Sequence, residues 1–211
     1  MHAFVLFVSR TTENTLSQSL VPELLRKIEI VVVLELIEGF RLACQRHGIR
    51  NMQLVIVGRA YHAHYYRRIQ ALLDRLGIRD GEVLLTGEIP HEHVGHLLGG
   101  CDVYVFPSTC ENCPTSLLEA LAMGVPIACS RVGVMPEIAG EAALYFDPDD
   151  VEDIARRLGE LMTNPDLRHQ LRGKALEQAR RFPGGAEVAR RILWTLEQAK
   201  GGSDVERWNR S

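Results

Sequence analysis

Two glutamates, Glu111 and Glu119, stand eight residues apart in the segment Cys101-Asp-Val-Tyr-Val-Phe-Pro-Ser-Thr-Cys-Glu-Asn-Cys-Pro-Thr-Ser-Leu-Leu-Glu-Ala-Leu-Ala-Met-Gly-Val-Pro. An apolar, strand-like run ends at Pro107, a short polar loop follows, and a helix is expected to start near Thr115 or Ser116. The first turn of a helix has unpaired backbone N–H groups and a partial positive charge, so it can hold a phosphate. Thr115 and Ser116 would add hydroxyl donors at the same place. A carboxylate beside a diphosphate would repel it. Glu111 and Glu119 are better suited to accept hydrogen bonds from sugar hydroxyls. The plainer alternative is an acid complementing the helix dipole and a solvent-facing Glu119.

Other residue clusters suit chemistry less well. Cys110-Glu-Asn-Cys113 is a C-x-x-C, but a zinc site needs a second ligand pair and none exists, so loop packing is expected. His91-Glu-His-Val-Gly-His96 is not H-E-x-x-H, because Gly95 occupies the second ligand position; an exposed helix start is expected there. His62 and His64 follow Gly58 and are expected on a solvated face. Asp147-Pro-Asp149 directly precedes a helix, where Asp149 or Asp150 can act as a cap, so no bound metal is expected. Gly58-Arg59-Ala60 lacks the G-x-G-x-x-G spacing of a dinucleotide site.

The elements that would position these residues alternate. Phe4–Val8, Leu54–Val57, Val83–Leu85, Val103–Phe106, Ile127–Cys129 and Ala143–Phe146 read as strands. Tyr65–Leu76, His93–Leu98, Ser116–Met123 and Pro136–Ala139 read as helices or helical turns. This order predicts an α/β fold with a doubly wound parallel sheet, whose ligands bind at the carboxyl ends of the strands. From Asp150 onward three helical segments are expected, Val151–Thr163, Asp166–Arg181 and Ala186–Lys200, then a polar tail over 201–211. Residues 11–30 fit no element and read as an insertion before a helix starting near Val31 and ending at Gly48.

Bulk properties agree with one domain over residues 1–200. The 211 residues are 46% hydrophobic, enough for one substantial core, and carry a net charge of −3. Acidic and basic residues are interspersed, so no nucleic-acid partner is expected. The five cysteines, Cys44, Cys101, Cys110, Cys113 and Cys129, are an odd number lying partly in apolar runs. A reduced, cytoplasmic setting is expected, with peripheral contact at the inner membrane face left open. The amino-terminal Met-His-Ala-Phe-Val-Leu-Phe-Val has no basic n-region. The longest apolar stretch, Ile30 to Ile37, is broken by Glu35 and is far shorter than the roughly 20 residues that span a bilayer.

The glutamate segment resembles the E-x7-E signature of family 4 glycosyltransferases, with D-V-x-V-x-P-S before it and L-L-E-A-L-A-x-G-V-P after it. Further matches follow in order. Phe7-Val-Ser-Arg10 is similar to the family's first strand with its phosphate-binding arginine. Leu54-Val-Ile-Val-Gly58 and Val83-Leu-Leu-Thr-Gly87 resemble the second and third strands with their glycines. Arg131-Val-Gly-Val-Met-Pro-Glu137 and Ala142-Ala-Leu-Tyr-Phe-Asp-Pro148 resemble the G-x-P-E and A-A-L-x-x-D-P elements.

The resemblance implies the Rossmann-like carboxyl-terminal half of a GT-B-type enzyme, transferring sugar from a nucleotide diphosphate sugar with retention and without a cofactor. It implies that Arg10 contacts the donor diphosphate, Glu119 the ribose and Glu111 the donor sugar. Asn112 and the backbone of Cys113, Pro114, Thr115 and Ser116 would line the sugar and phosphate, and the turn Gly87–Ile89 the base. The leaving diphosphate would guide the acceptor to the same face, leaving the protein to stabilise charge and position groups. The acceptor, a sugar, lipid or glycan, would sit on a separate amino-terminal domain preceding Met1.

The family's second phosphate cation, a lysine, has no direct counterpart. Its slot falls at Val31 counting back from Glu38-Gly-Phe40 and near Leu16 counting forward from Arg10. Lys27 is the nearest lysine and the donor-binding candidate for that role. It would reach the phosphates if residues 11–30 fold outward as a loop, and project away from them if the stretch extends the helix. The second outcome is the one expected from its helix formers. Two other classes stay open: a nucleotide-sugar-binding module with no transfer activity alone, and a relative of sugar-nucleotide epimerases. The sequence after Glu111 favours the transferase lineage over the epimerase.

Overall fold

The computed structural model describes residues 33–58 and 63–184, the backbone of residues 5–10, and the single positions 187, 190 and 194. The expected insertion at 11–30, with Lys27 and Leu16, lies outside the described residues, as do Val31, His62, most of Ala186–Lys200 and the tail 201–211. Contacts divide the chain into residues 1–179 and 180–211. In the second unit Glu187 and Arg190 form an ion pair at 2.8 Å.

The first unit holds six strands: β1 (Val5–Arg10), β2 (Met52–Val57), β3 (Val83–Gly87), β4 (Val103–Phe106), β5 (Ile127–Ser130) and β6 (Ala143–Phe146). Its helices are α1 (Val33–His47), α2 (Ala63–Arg75), α3 (His91–Gly100), α4 (Thr115–Ala122), α5 (Met135–Ala139), α6 (Val151–Thr163) and α7 (Pro165–Ala179). The sheet order is β3-β2-β1-β4-β5-β6. Strands β2, β4 and β5 are buried at every position, as expected of strands covered on both faces.

The doubly wound α/β architecture is as expected, and one strand departs from it in direction. The pairs β2–β3, β4–β5 and β5–β6 are parallel, but β1 runs antiparallel to both β2 and β4. The run Val5-Leu-Phe-Val8 is apolar at every position, so its sequence pattern does not dictate a direction. The register sets Val5 opposite Val57 and Arg10 opposite Met52. Arg10 is thus at the amino edge of β2, about five residues, or roughly 17 Å, from the carboxyl edge.

Two helices cover one another closely. The apolar positions of α1, Val33, Leu36, Ile37, Phe40 and Ala43, are all buried at helical spacing. On α6 the matching stripe is Ile154, Ala155, Leu158, Leu161 and Met162. A Cβ on Gly39 would stand 2.5 Å from Ile154 Cγ2, and one on Gly159 would stand 2.5 Å from His47 Nε2. Glycine costs a helix about 1 kcal/mol relative to alanine. At Gly39 it permits an approach to Ile154 and the α6 backbone that a side chain would block, whereas at Gly159 the group in the way is the tip of the His47 ring.

The start of α6 is fixed by Asp150, whose Oδ1 accepts from the N–H groups of Glu152 at 2.9 Å and Asp153 at 3.2 Å. Asp153 in turn is a hub. Its carboxylate pairs with Arg131 after β5 and with Arg156, lies 3.8 Å from Arg157 Nε, and accepts the Asp147 N–H at 2.8 Å. Burial alone would push this carboxyl up. The Asp147 N–H and the guanidiniums of Arg156 and Arg131 outweigh burial and hold it below the ordinary aspartate value.

Candidate functional site

The carboxyl end of β4 opens into the loop Pro107–Pro114, and α4 begins immediately afterward. Strand β4 is anchored by Tyr104 and Phe106, both fully buried and stacked with ring centroids 6.1 Å apart. The loop is tied down on both sides. Ser130, buried at the end of β5, donates from Oγ to the Ser108 carbonyl. Ser108 Oγ donates to Glu111 Oε1 at 2.9 Å. Glu111 is thus held, half-buried, at the carboxyl edge.

No side chain caps α4: the residue before it is Pro114, and Leu117 and Leu118 N–H both return to the Pro114 carbonyl. The earliest N–H groups of the helix, those of Thr115 and Ser116, come before this turn closes and are the ones a bound anion would use. Thr115, Asn112 and Cys113 are exposed, and Pro114 is buried. The Ser116 hydroxyl differs from expectation. Ser116 is 3% exposed and its Oγ faces the Tyr104 hydroxyl, so only Thr115 presents a hydroxyl outward. Burial pushes the Tyr104 phenol far up, and the charge of Glu119 adds to this, so it remains protonated.

Glu119 lies on α4 one turn inside the helix and is half-buried. Its Oε1 is 2.9 Å from Nε2 of His91, the first residue of α3. Among the described residues this is the only hydrogen bond to the carboxylate. His91 follows the turn Gly87–Ile89, where Gly87 has φ of +71° and its carbonyl accepts from Gly58 N–H at 3.0 Å and from Thr86 Oγ1 at 2.9 Å. A positive φ there favours glycine, which reaches the left-handed region without strain. The fold therefore gathers Glu111, the 112–116 loop and helix start, Glu119 and the turn after β3 along the carboxyl edge. Arg10 is not brought to them.

His91 and Ser108 were not among the expected site residues. Ser108 lay in view, three residues before Glu111 and at the end of the strand. His91 belongs to a histidine cluster whose spacing does not suit zinc, and the available signal is its place two residues after Ile89, at the end of the turn expected to meet the donor. Asp147 Oδ1 accepts from Asp149 N–H at 3.1 Å, so that carboxylate closes its own turn. Among the described residues no group of three or more His, Cys, Asp or Glu is placed to hold a metal ion.

All five cysteines are unpaired, and they separate sharply. Burial pushes the Cys44 thiol to about 11, with the Glu82 charge adding to it. It pushes Cys101 to about 12 and raises Cys129 as well. Cys110 and Cys113 are exposed and flank Glu111. Thiolate is the reacting form. Iodoacetamide near neutral pH should therefore label Cys110 and Cys113 in the folded protein and spare the other three, as peptide mass spectrometry would show. Equal labelling of Cys101 or Cys129 would contradict the packing described.

Residues 21–178 match the family Glycosyl transferases group 1. The O-antigen chain mannosyltransferase B of Escherichia coli is 33% identical over 106 residues, half of this chain and 28% of that one. Among solved structures, sucrose-phosphate synthase from Thermosynechococcus elongatus superposes with a TM-score of 0.67 at 22% identity, over 81% of this chain and 43% of that one. Anabaena HepE in complex with UDP and glucose gives 0.62 at 19% identity, over 68% and 40%. The chain spans less than half the length of each of these proteins. Among the described residues no helix is long and apolar enough to cross a membrane. With a family match covering most of the sequence and the Rossmann-like half of the GT-B fold, the chain belongs to the group 1 glycosyltransferases.

Proposed function

We propose that this chain is the donor-binding half of a retaining, family 4 glycosyltransferase whose donor is a nucleoside diphosphate sugar. One observation carries the reading: an uncapped helix start lies between two half-buried carboxylates, Glu111 and Glu119, at the carboxyl edge of the sheet. The N–H groups of Thr115 and Ser116 suit the diphosphate, Glu119 the ribose, Glu111 the transferred sugar and the turn Gly87–Ile89 the base. That Anabaena HepE was solved with UDP and glucose supports a nucleotide donor on this fold. Arg10 takes no part in this reading because of its register, and Lys27 lies outside the described residues. Unpaired cysteines favour a reducing, cytoplasmic compartment.

Catalysis in this scheme is stabilisation of the leaving diphosphate by preorganised N–H dipoles, with the acceptor, a sugar, lipid or glycan, guided to the same face. The described edge supplies one wall of a cleft. Donor binding without turnover is therefore the expected behaviour of the 211-residue chain by itself. A thermal-shift screen with UDP-, GDP- and ADP-sugars tests the reading. One donor at about 100-fold excess over its Kd should stabilise the fold by about 2.7 kcal/mol, a shift of several degrees. No shift with any of the three would overturn the proposal.

A further inference from the structure

The His91–Glu119 contact joins two elements that arrive at the site from different directions. His91 comes from the turn after β3, and Glu119 from the helix after β4; in the sheet β2 and β1 lie between those strands. The bond is 2.9 Å long. Glu119 has no other hydrogen-bond partner among the described residues, so this contact sets its rotamer. The His91 ring is largely exposed, and its removal would leave no cavity. We propose that His91 is a positioning residue for nucleotide recognition: its Nε2–H holds one oxygen of Glu119 and turns the other toward the ribose hydroxyls.

This inference rests on the ribose role given to Glu119 above. Its physical content is preorganisation. A free glutamate side chain must lose rotamer freedom when it meets a ligand, whereas one already held does not. A glutamine at position 91 can still place a side-chain N–H near Glu119 and should restore part of the effect. An alanine cannot.

Calorimetric titration of the purified chain with UDP, GDP and ADP separates the possibilities. For the nucleotide that binds, His91→Ala should weaken affinity by about 2- to 10-fold, and His91→Gln should recover most of it. In a Glu119→Ala background, His91→Ala should have no further effect, the signature of two residues acting as one unit. A loss with Glu119→Ala but none with His91→Ala would overturn the positioning role and leave the ribose role standing. A loss with His91→Ala that persists undiminished in the Glu119→Ala background would overturn it too, since His91 would then act directly on the ligand. Unchanged affinity in Glu119→Ala would remove the ribose role and this inference together.

Discussion

Replacing Glu119 with alanine should lower affinity for the nucleoside diphosphate by about 10- to 100-fold. That range corresponds to the roughly 1.5–3 kcal/mol that a hydrogen bond to a charged group contributes. The carboxylate sits one turn beyond an uncapped helix start, close enough to serve the same ligand and far enough along the helix to spare the phosphates repulsion. Its side chain is 35% exposed and its one partner among the described residues is a surface histidine, so the fold should be nearly indifferent to its loss, within about 0.5 kcal/mol. Calorimetry with UDP, GDP and ADP, paired with urea unfolding of the same variant, reads both quantities. A folded Glu119→Ala protein with unchanged affinity would remove the ribose assignment.

Asp153→Ala should be the more damaging change to stability. Its carboxylate is 8% exposed and faces Arg131, Arg156 and Arg157, which are 49%, 51% and 27% exposed. Breaking a buried pair costs 3–5 kcal/mol, and the exposure of these arginines screens part of that, leaving about 2 kcal/mol. The same carboxylate makes an acid signature. Because its folded value is held below the unfolded one, the unfolded chain binds the extra proton. The stabilisation is fully present above about pH 4 and is lost as pH falls further, through the folded value. Urea unfolding from neutral pH down to about pH 3 should therefore show a shallower decline for Asp153→Ala than for the parent. Parallel declines would mean that Asp153 is not the titrating hub.

What could be read from the sequence divides along physical lines. The strands from Leu54 to Phe146 were legible because each is a short apolar run between polar breaks, and burial on both faces leaves that trace. The Asp150 cap was legible because capping is a local contact. The inward turn of Ser116 was legible too, had its helical face been followed: Ser116, Leu117, Ala120 and Leu121 form one buried stripe. The direction of β1 was not, since an apolar run does not encode which end pairs with which. His91 and Glu119 are 28 residues apart, and no local periodicity links them; the sheet order brings them together. The need for glycine at position 39 is likewise not local: only the path of α6, with Ile154 against it, shows why no side chain fits there.

The reversal of β1 has a topological consequence. A parallel β1 would need a crossover to reach β2, and crossovers are constrained in hand. With β1 ending at the edge where β2 begins, the two strands are joined at the same edge, and the handedness rule does not apply to that connection. Within that connection α1 stays tied to the core by its buried face against α6, while the carboxyl edge from β3 onward is built without it.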